Sequence, residues 1–299
     1  MAQDFAFRSQ GFIEICGKFA GYVRKIDMGK LSGEVVENNL GGANRIKKHV
    51  VKMKHDPISF EVGVGMGFEI YNWMKSSFKN QHLTQDGAIM IVNTNFDVVR
   101  RMDFTAAHIT EITLPKLDAK GKDALYFTVK MQPTTCRHSA GGGKANVVIG
   151  ANQKQYGSVN FRMLSPMGDT KALISIDASK WSQTVQAVEY GEFLEATHAP
   201  TKTSVGDLKF TMSSHAYAEW EKKAHSWFVA GARSEAMEVT NVVQILDTAA
   251  KEIIAEISYE NCGMKEFKFS ELDANADKLN TFDVTCYTEA YDLTIKAYD

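Results

Sequence analysis

Residues 98–131 read VVRRMDFTAAHITEITLPKLDAKGKDALYFTVKM, and residues 253–286, 155 positions on and without a gap, read IIAEISYENCGMKEFKFSELDANADKLNTFDVTC. Identities fall at Glu111/Glu266, Leu117/Leu272, Asp118/Asp273, Ala119/Ala274, Phe127/Phe282 and Val129/Val284. Between them apolar residues stay in phase, as in Met102/Ile257, Phe104/Tyr259, Ile109/Met264 and Ile112/Phe267. Matches of size and polarity at one fixed offset are the signature of a fold used twice.

The parallel continues upstream. Ile58-Ser-Phe60-Glu-Val62 and Leu208-Lys-Phe210-Thr-Met212 alternate as half-buried strands. Each precedes a helical stripe, Phe68, Tyr71, Met74 and Phe78 in the first copy and Tyr217, Trp220, Ala224, Trp227 and Phe228 in the second. After the helices come strands at 88–92, 98–104 and 109–114, matched by 242–246, 253–259 and 264–269, and each copy closes on a further strand, 125–131 or 281–287. Early strands are expected at 11–16, 19–26, 159–163 and 172–176. Three consecutive glycines, Gly141 to Gly143, are too costly in backbone entropy for an element interior and mark a linker. The expected organisation is therefore a first domain at 1–136, a Gly-rich linker at 137–157 and a second domain at 158–299. Each domain reads as mainly β (α+β), a barrel or sandwich with one flanking α-helix.

With 299 residues, 44% of them hydrophobic, the chain can bury two cores, which excludes a disordered or collagen-like polymer. A net charge of −2 argues against a nucleic-acid or membrane-surface binder acting along its whole length, and no apolar run is long enough to span a bilayer. Residues 1–135 hold 18 basic and 14 acidic side chains, whereas residues 158–299 hold 13 and 22, so the copies differ in sign. Cys16, Cys136, Cys262 and Cys286 are scattered without a C-x-x-C pair, and Met1 to Ser9 has no signal pattern; the thiols are expected reduced, mostly buried, in a chain assembled in the cytoplasm.

The motifs that suggest chemistry have blander readings. Gly63-Val-Gly65-Met-Gly67 sits between a strand and a helix, but Phe68 stands where a dinucleotide fingerprint needs its third glycine, so a helix-entry turn is expected. His49, His55, Cys136 and His138 show no metal-ligand spacing, and no G-x-S-x-G elbow or Cys/His setting is recognisable. Asp118 and Asp273 read as turn caps before the closing strand. No catalytic residue, cofactor or metal is expected. Arg45, Lys47, Lys48, Lys52 and Lys54 follow a turn containing Asn39, Gly41 and Gly42. This reads as a long hairpin arm too polar for the core, with a contact to another subunit as the leading reading, ahead of a solvated edge and of a nucleic-acid contact, for which stacking aromatics are lacking.

Asp86-Gly-Ala-Ile89, Phe104-Thr-Ala-Ala-His-Ile-Thr-Glu-Ile112, Leu114-Pro-Lys-Leu-Asp-Ala119 and Phe127-Thr-Val-Lys-Met-Gln-Pro133 resemble the tail-tube family of contractile phages and phage-derived injection systems. The tandem arrangement is similar to the longer form in which two tube-like domains share a chain. The likeness is stronger over residues 46–133 than in the second copy, where Ser270 replaces Pro115. What the resemblance implies is a self-assembling structural protein of a virion tail or injection particle. Subunits join their sheets into rings, which stack into a hollow tube conducting DNA or effector proteins. The alternatives are a hub or adaptor capping the tube of the same machine and, from a different class, a hydrolase or binding module on a jelly-roll-like fold. The implied partners are further copies of the chain, as three chains with apparent sixfold symmetry or as six. Sheath, baseplate hub and terminator proteins follow from the same likeness. Glu111, Leu117, Asp118 and Phe127, with Glu266, Leu272, Asp273 and Phe282, would then be structural residues of the repeat.

Overall fold

Side-chain alternation decides which faces are buried. Residues 58–63 bury Ile58, Phe60 and Val62 and leave Ser59 and Glu61 half-exposed; residues 208–213 bury Leu208, Phe210 and Met212. A period of two is that of a strand with one face on a core. The computed structural model describes residues 10–39, 46–145, 156–193, 195–231, 233–270 and 279–298. The first half contains β1 (Gln10–Ile15), β2 (Lys18–Asp27), β3 (Leu31–Asn39), β4 (Ile46–His55), β5 (Ile58–Gly63), α1 (Phe68–Phe78), β6 (Gln85–Val92), β7 (Val98–Thr113), β8 (Leu117–Asp118), β9 (Tyr126–Gln132) and β10 (Thr135–Ala140). The second contains β11 (Phe161–Leu164), β12 (Leu173–Ile176), β13 (Lys180–Val188), β14 (Thr197–Val205), β15 (Leu208–Ser213), α2 (Tyr217–Phe228), β16 (Val239–Leu246), β17 (Ile253–Phe269), β18 (Thr281–Tyr287) and β19 (Ala290–Ile295).

The pairings repeat strand for strand. β1–β6, β2–β5, β5–β9, β6–β7, β7–β9 and β7–β10 have counterparts in β11–β16, β12–β15, β15–β18, β16–β17, β17–β18 and β17–β19, all antiparallel. Phe127 faces Val62 across β9–β5, and Phe282 faces Met212 across β18–β15; both rings are fully buried. The protein is thus mainly β, with two barrel-like sheets in tandem and a helix on each. In the first half the β1–β2 hairpin closes the circuit β7-β6-β1-β2-β5-β9. Among the described residues β11 and β12 do not pair, so the second circuit stays open there.

Two pairs of strands expected as separate elements are single long strands, β7 and β17. The cause is a residue with left-handed backbone in each, Ala106 at φ 45° and Asn261 at φ 51°, 155 positions apart. β7 pairs with β6 through Ala107 and with β9 from His108; β17 pairs with β16 through Cys262 and with β18 from Gly263. The irregularity re-aims one strand from one neighbour to the next, as a bulge does. Broken alternation at that point reads in sequence as a strand end.

The helix stripes are only partly core. Tyr71, Met74 and Phe78 of α1 are buried, but Phe68 is exposed; α2 buries Trp220 and Ala224, half-buries Trp227 and exposes Phe228. At the entry to α1, the Gly67 N–H donates to the Ala20 carbonyl at 2.6 Å, and a Cβ at Gly67 would overlap that carbonyl. The glycine lets the helix start against β2, which is a packing reason for that motif.

Candidate subunit interface

The halves meet by exchanging edge strands. Hairpin β13–β14 belongs to the second half by sequence, yet β13 adds to the outer edge of β7 in the first. Lys180 faces Thr113, Trp181 faces Ile112 and Ser182 faces Glu111. The Leu114 N–H donates to the Ser179 carbonyl at 2.8 Å, extending the ladder. In return β8 lies on the edge of β12, with Leu117 opposite Ile176 and Asp118 opposite Ser175. Buried residues of both halves consequently form one connected cluster.

Apolar and charged groups lock this joint. Trp181 is 1% exposed and meets Phe78, the last residue of α1, edge-on at 6.0 Å. Phe78 also meets Tyr291 of β19, whose hydroxyl donates to the Gly206 carbonyl at 2.5 Å. Tyr298 stacks on Tyr71 at 5.4 Å and donates a hydrogen bond to the Met66 carbonyl. Glu111 lies between Lys180 at 2.5 Å and Lys130 at 2.9 Å. Burial opposes its ionisation, but hydrogen bonds and charge from the two lysines prevail and hold the carboxyl below its ordinary pKa. Burial lowers the pKa of His108 and of His198, which lie on β7 and β14 respectively, and that of His55 at the end of β4.

The basic arm is the hairpin β3–β4; among the described residues its only bridge outside the hairpin is the isolated parallel one from Met53 to Glu195. Lys47, Lys48, Lys52 and Lys54 are all exposed on β4. Lys48 pairs with Glu37 across the hairpin, and Lys52 pairs with Glu189 in the β13–β14 loop. Asn39 ends β3 opposite Ile46; Gly41, Gly42 and Arg45 lie outside the described residues. Between the arm and that loop runs a polar cleft of about 690 Å³, lined among others by Glu34, Lys52, His55, Tyr190 and Glu195. Arg137 on β10 holds Glu195 with two hydrogen bonds, at 2.6 and 3.1 Å.

The repeat residues divide between core and joint. Leu117 is buried at the exchanged strand β8, and Asp118 Oδ1 accepts from the Lys120 N–H at 2.8 Å, a turn cap. Glu266 is exposed, and its cross-strand partner is Thr285 where Glu111 has Lys130. Leu272 and Asp273 lie outside the described residues. Cys136, Cys262 and Cys286 are buried free thiols, Cys16 is exposed, and burial pushes the Cys136 thiol up to about 11. Among the described residues no group of three or more His, Cys, Asp or Glu is arranged to hold a metal, and no helix is long and apolar enough to cross a membrane. The exchange of β13–β14 was not anticipated from sequence. Its signal was available, since 180–205 stands to 208–213 as the arm stands to 58–63.

Two barrel-like units of matching strand order, joined edge to edge, make up the described residues. Residues 10–137 match the family model of the T4-like virus tail tube protein gp19, so the first half resembles tail-tube proteins on its own sequence, and the second shares its strand order. No curated protein matches the chain. Among solved structures, the tube-terminating cap of the anti-feeding prophage aligns with a TM-score of 0.41 and 12% identity, over 50% of this chain and 99% of its own. A chain of the extended sheath–tube complex of the PVC extracellular contractile injection system aligns with a TM-score of 0.39 and 19% identity, over 44% and 88%. Hcp1 from Flavobacterium johnsoniae aligns with a TM-score of 0.32 and 17% identity, over 46% and 99%.

Proposed function

We propose that the chain is a non-enzymatic subunit of a tail or injection tube, closing into rings that stack around a lumen for DNA or effector proteins. The observation that carries this reading is the joint between halves: sheets of two tube-like units already fuse at their edges within one chain. Repeating that contact with alternating halves closes a ring of three chains with apparent sixfold symmetry. The division at 1–136, 137–157 and 158–299 is proposed with it, β10 carrying the first sheet to Ala140. Unequal charge favours alternation, since each half then faces neighbours of opposite sign. Electron microscopy of the purified protein tests the reading: open-ended tubes are expected, and dispersed monomers would overturn it. Six identical chains in one layer would overturn the three-chain ring.

A further inference from the structure

The joint inside the chain has one filled copy and one empty copy. On β7 the edge at Glu111–Thr113 is covered by β13. The matching residues of β17, Glu266 to Lys268, pair with β18 on one side, and no described strand lies on the other. The hairpin that matches β13–β14 is the arm β3–β4. Its register fixes the correspondence: Leu31 faces His55 as Trp181 faces Val205, and both hairpins run directly into the equivalent strands β5 and β15.

The side chains around the empty copy are those of an uncovered joint. Leu31 is 51% exposed where Trp181 is 1%, and Phe228 is 40% exposed where Phe78 is 4%. Lys30 occupies the place of Lys180 and Glu266 that of Glu111, and both are exposed. The arm also exposes Val35, Val36, Ile46 and Val50. Such a two-stranded hairpin, held to the rest of the chain at Met53–Glu195 and Lys52–Glu189 on the β4 side, is marginal in water, and its open β3 edge is a template for pairing.

We propose that the occupant is a second copy of this chain: Lys30, Leu31 and Ser32 of one copy add antiparallel to Lys268, Phe267 and Glu266 of the next. Lys30 then stands opposite Lys268 and reaches Glu266 diagonally, as Lys180 opposite Thr113 reaches Glu111, and Leu31 seats against Phe228. This assignment deepens the tube reading and rests on it. It also gives the arm a role set by its root at Lys30 to Ser32, in addition to its basic strand β4.

Paired cysteines read the register directly. Residues directly opposite in an antiparallel pair are close enough for a disulfide. In a Cys16→Ser background, Ser32→Cys with Glu266→Cys is expected to cross-link neighbouring copies on oxidation, closing into a covalent ring. Leu31→Asp is expected to abolish assembly while leaving the thermal midpoint of the monomer unchanged, because Leu31 is exposed there. Wild-type tubes with no cross-link at 32/266, or tubes formed normally by Leu31→Asp, would overturn this joint and leave the tube reading standing. Wild-type protein that stays monomeric in micrographs would overturn both.

Discussion

Helices α1 and α2 follow equivalent strands and precede equivalent strands, yet one is enclosed and the other half bare. Seven residues of α1 are buried, against two of α2. The difference comes from neighbours. α1 is roofed by β19, Tyr298 and the root of β13, all from the other half of the chain. No described segment covers α2 in the same way. Whether a helix face is core or surface here depends on whether the adjoining unit belongs to the same chain, and the exposed aromatic at the end of α2 follows from that.

The widest gap is expected between tryptophans. Trp220 is fully buried, meets Phe210 at 5.5 Å and donates to the Asp169 carbonyl at 3.0 Å. Trp220→Ala should cost about 3–5 kcal/mol in chemical denaturation, whereas half-buried Trp227→Ala should cost about 1 kcal/mol. Equal losses would break the comparison. Next come the helix ends. Phe78→Ala should cost about 3 kcal/mol and Phe228→Ala less than about 1 kcal/mol in the monomer, a contrast that vanishes if the open joint is filled in solution. Glu111→Gln should lose about 1 kcal/mol and Glu266→Gln roughly nothing, because only the first carboxylate has two lysines against it.

The smallest effect is one of pH. Burial lowers the folded pKa of His55, His108 and His198 below the ordinary 6.5. The unfolded chain therefore binds more protons than the folded one below that value, so stability is full above it and falls as the pH drops through it. A thermal midpoint a few degrees lower at about pH 5.5 than at about pH 7.5 is expected, and His108→Asn with His198→Asn should reduce the difference. A midpoint independent of pH would show that these imidazoles protonate without disturbing the joint.

Much of each unit was legible because its signals are local. The alternation at Ile58–Val62 and Leu208–Met212 names the buried faces, and the phase of Phe127 with Phe282 places the closing strands. The kinks at Ala106 and Asn261 were not legible, since neither residue type announces a left-handed backbone as glycine does. The exchange of β13 was hidden for another reason. Trp181 alternates as any strand residue would, and nothing in its own segment says whether Ile112 or some nearer strand lies opposite. The arm was legible as exposed because four lysines on one strand do not fit a core; the edge proposed for it rests on a long-range comparison with the filled joint of β7 and β13, which no local pattern supplies.

The covalent tie across β7 and β13 has a consequence for mass action. Tethered groups meet at an effective concentration of about millimolar, set by the connecting chain rather than by the amount of protein present. In a ring of three chains, half the seams would be closed as each chain folds, before two molecules ever collide. Dilution would then act on the remaining seams alone, so a ring coming apart would shed whole chains and never split one between its halves.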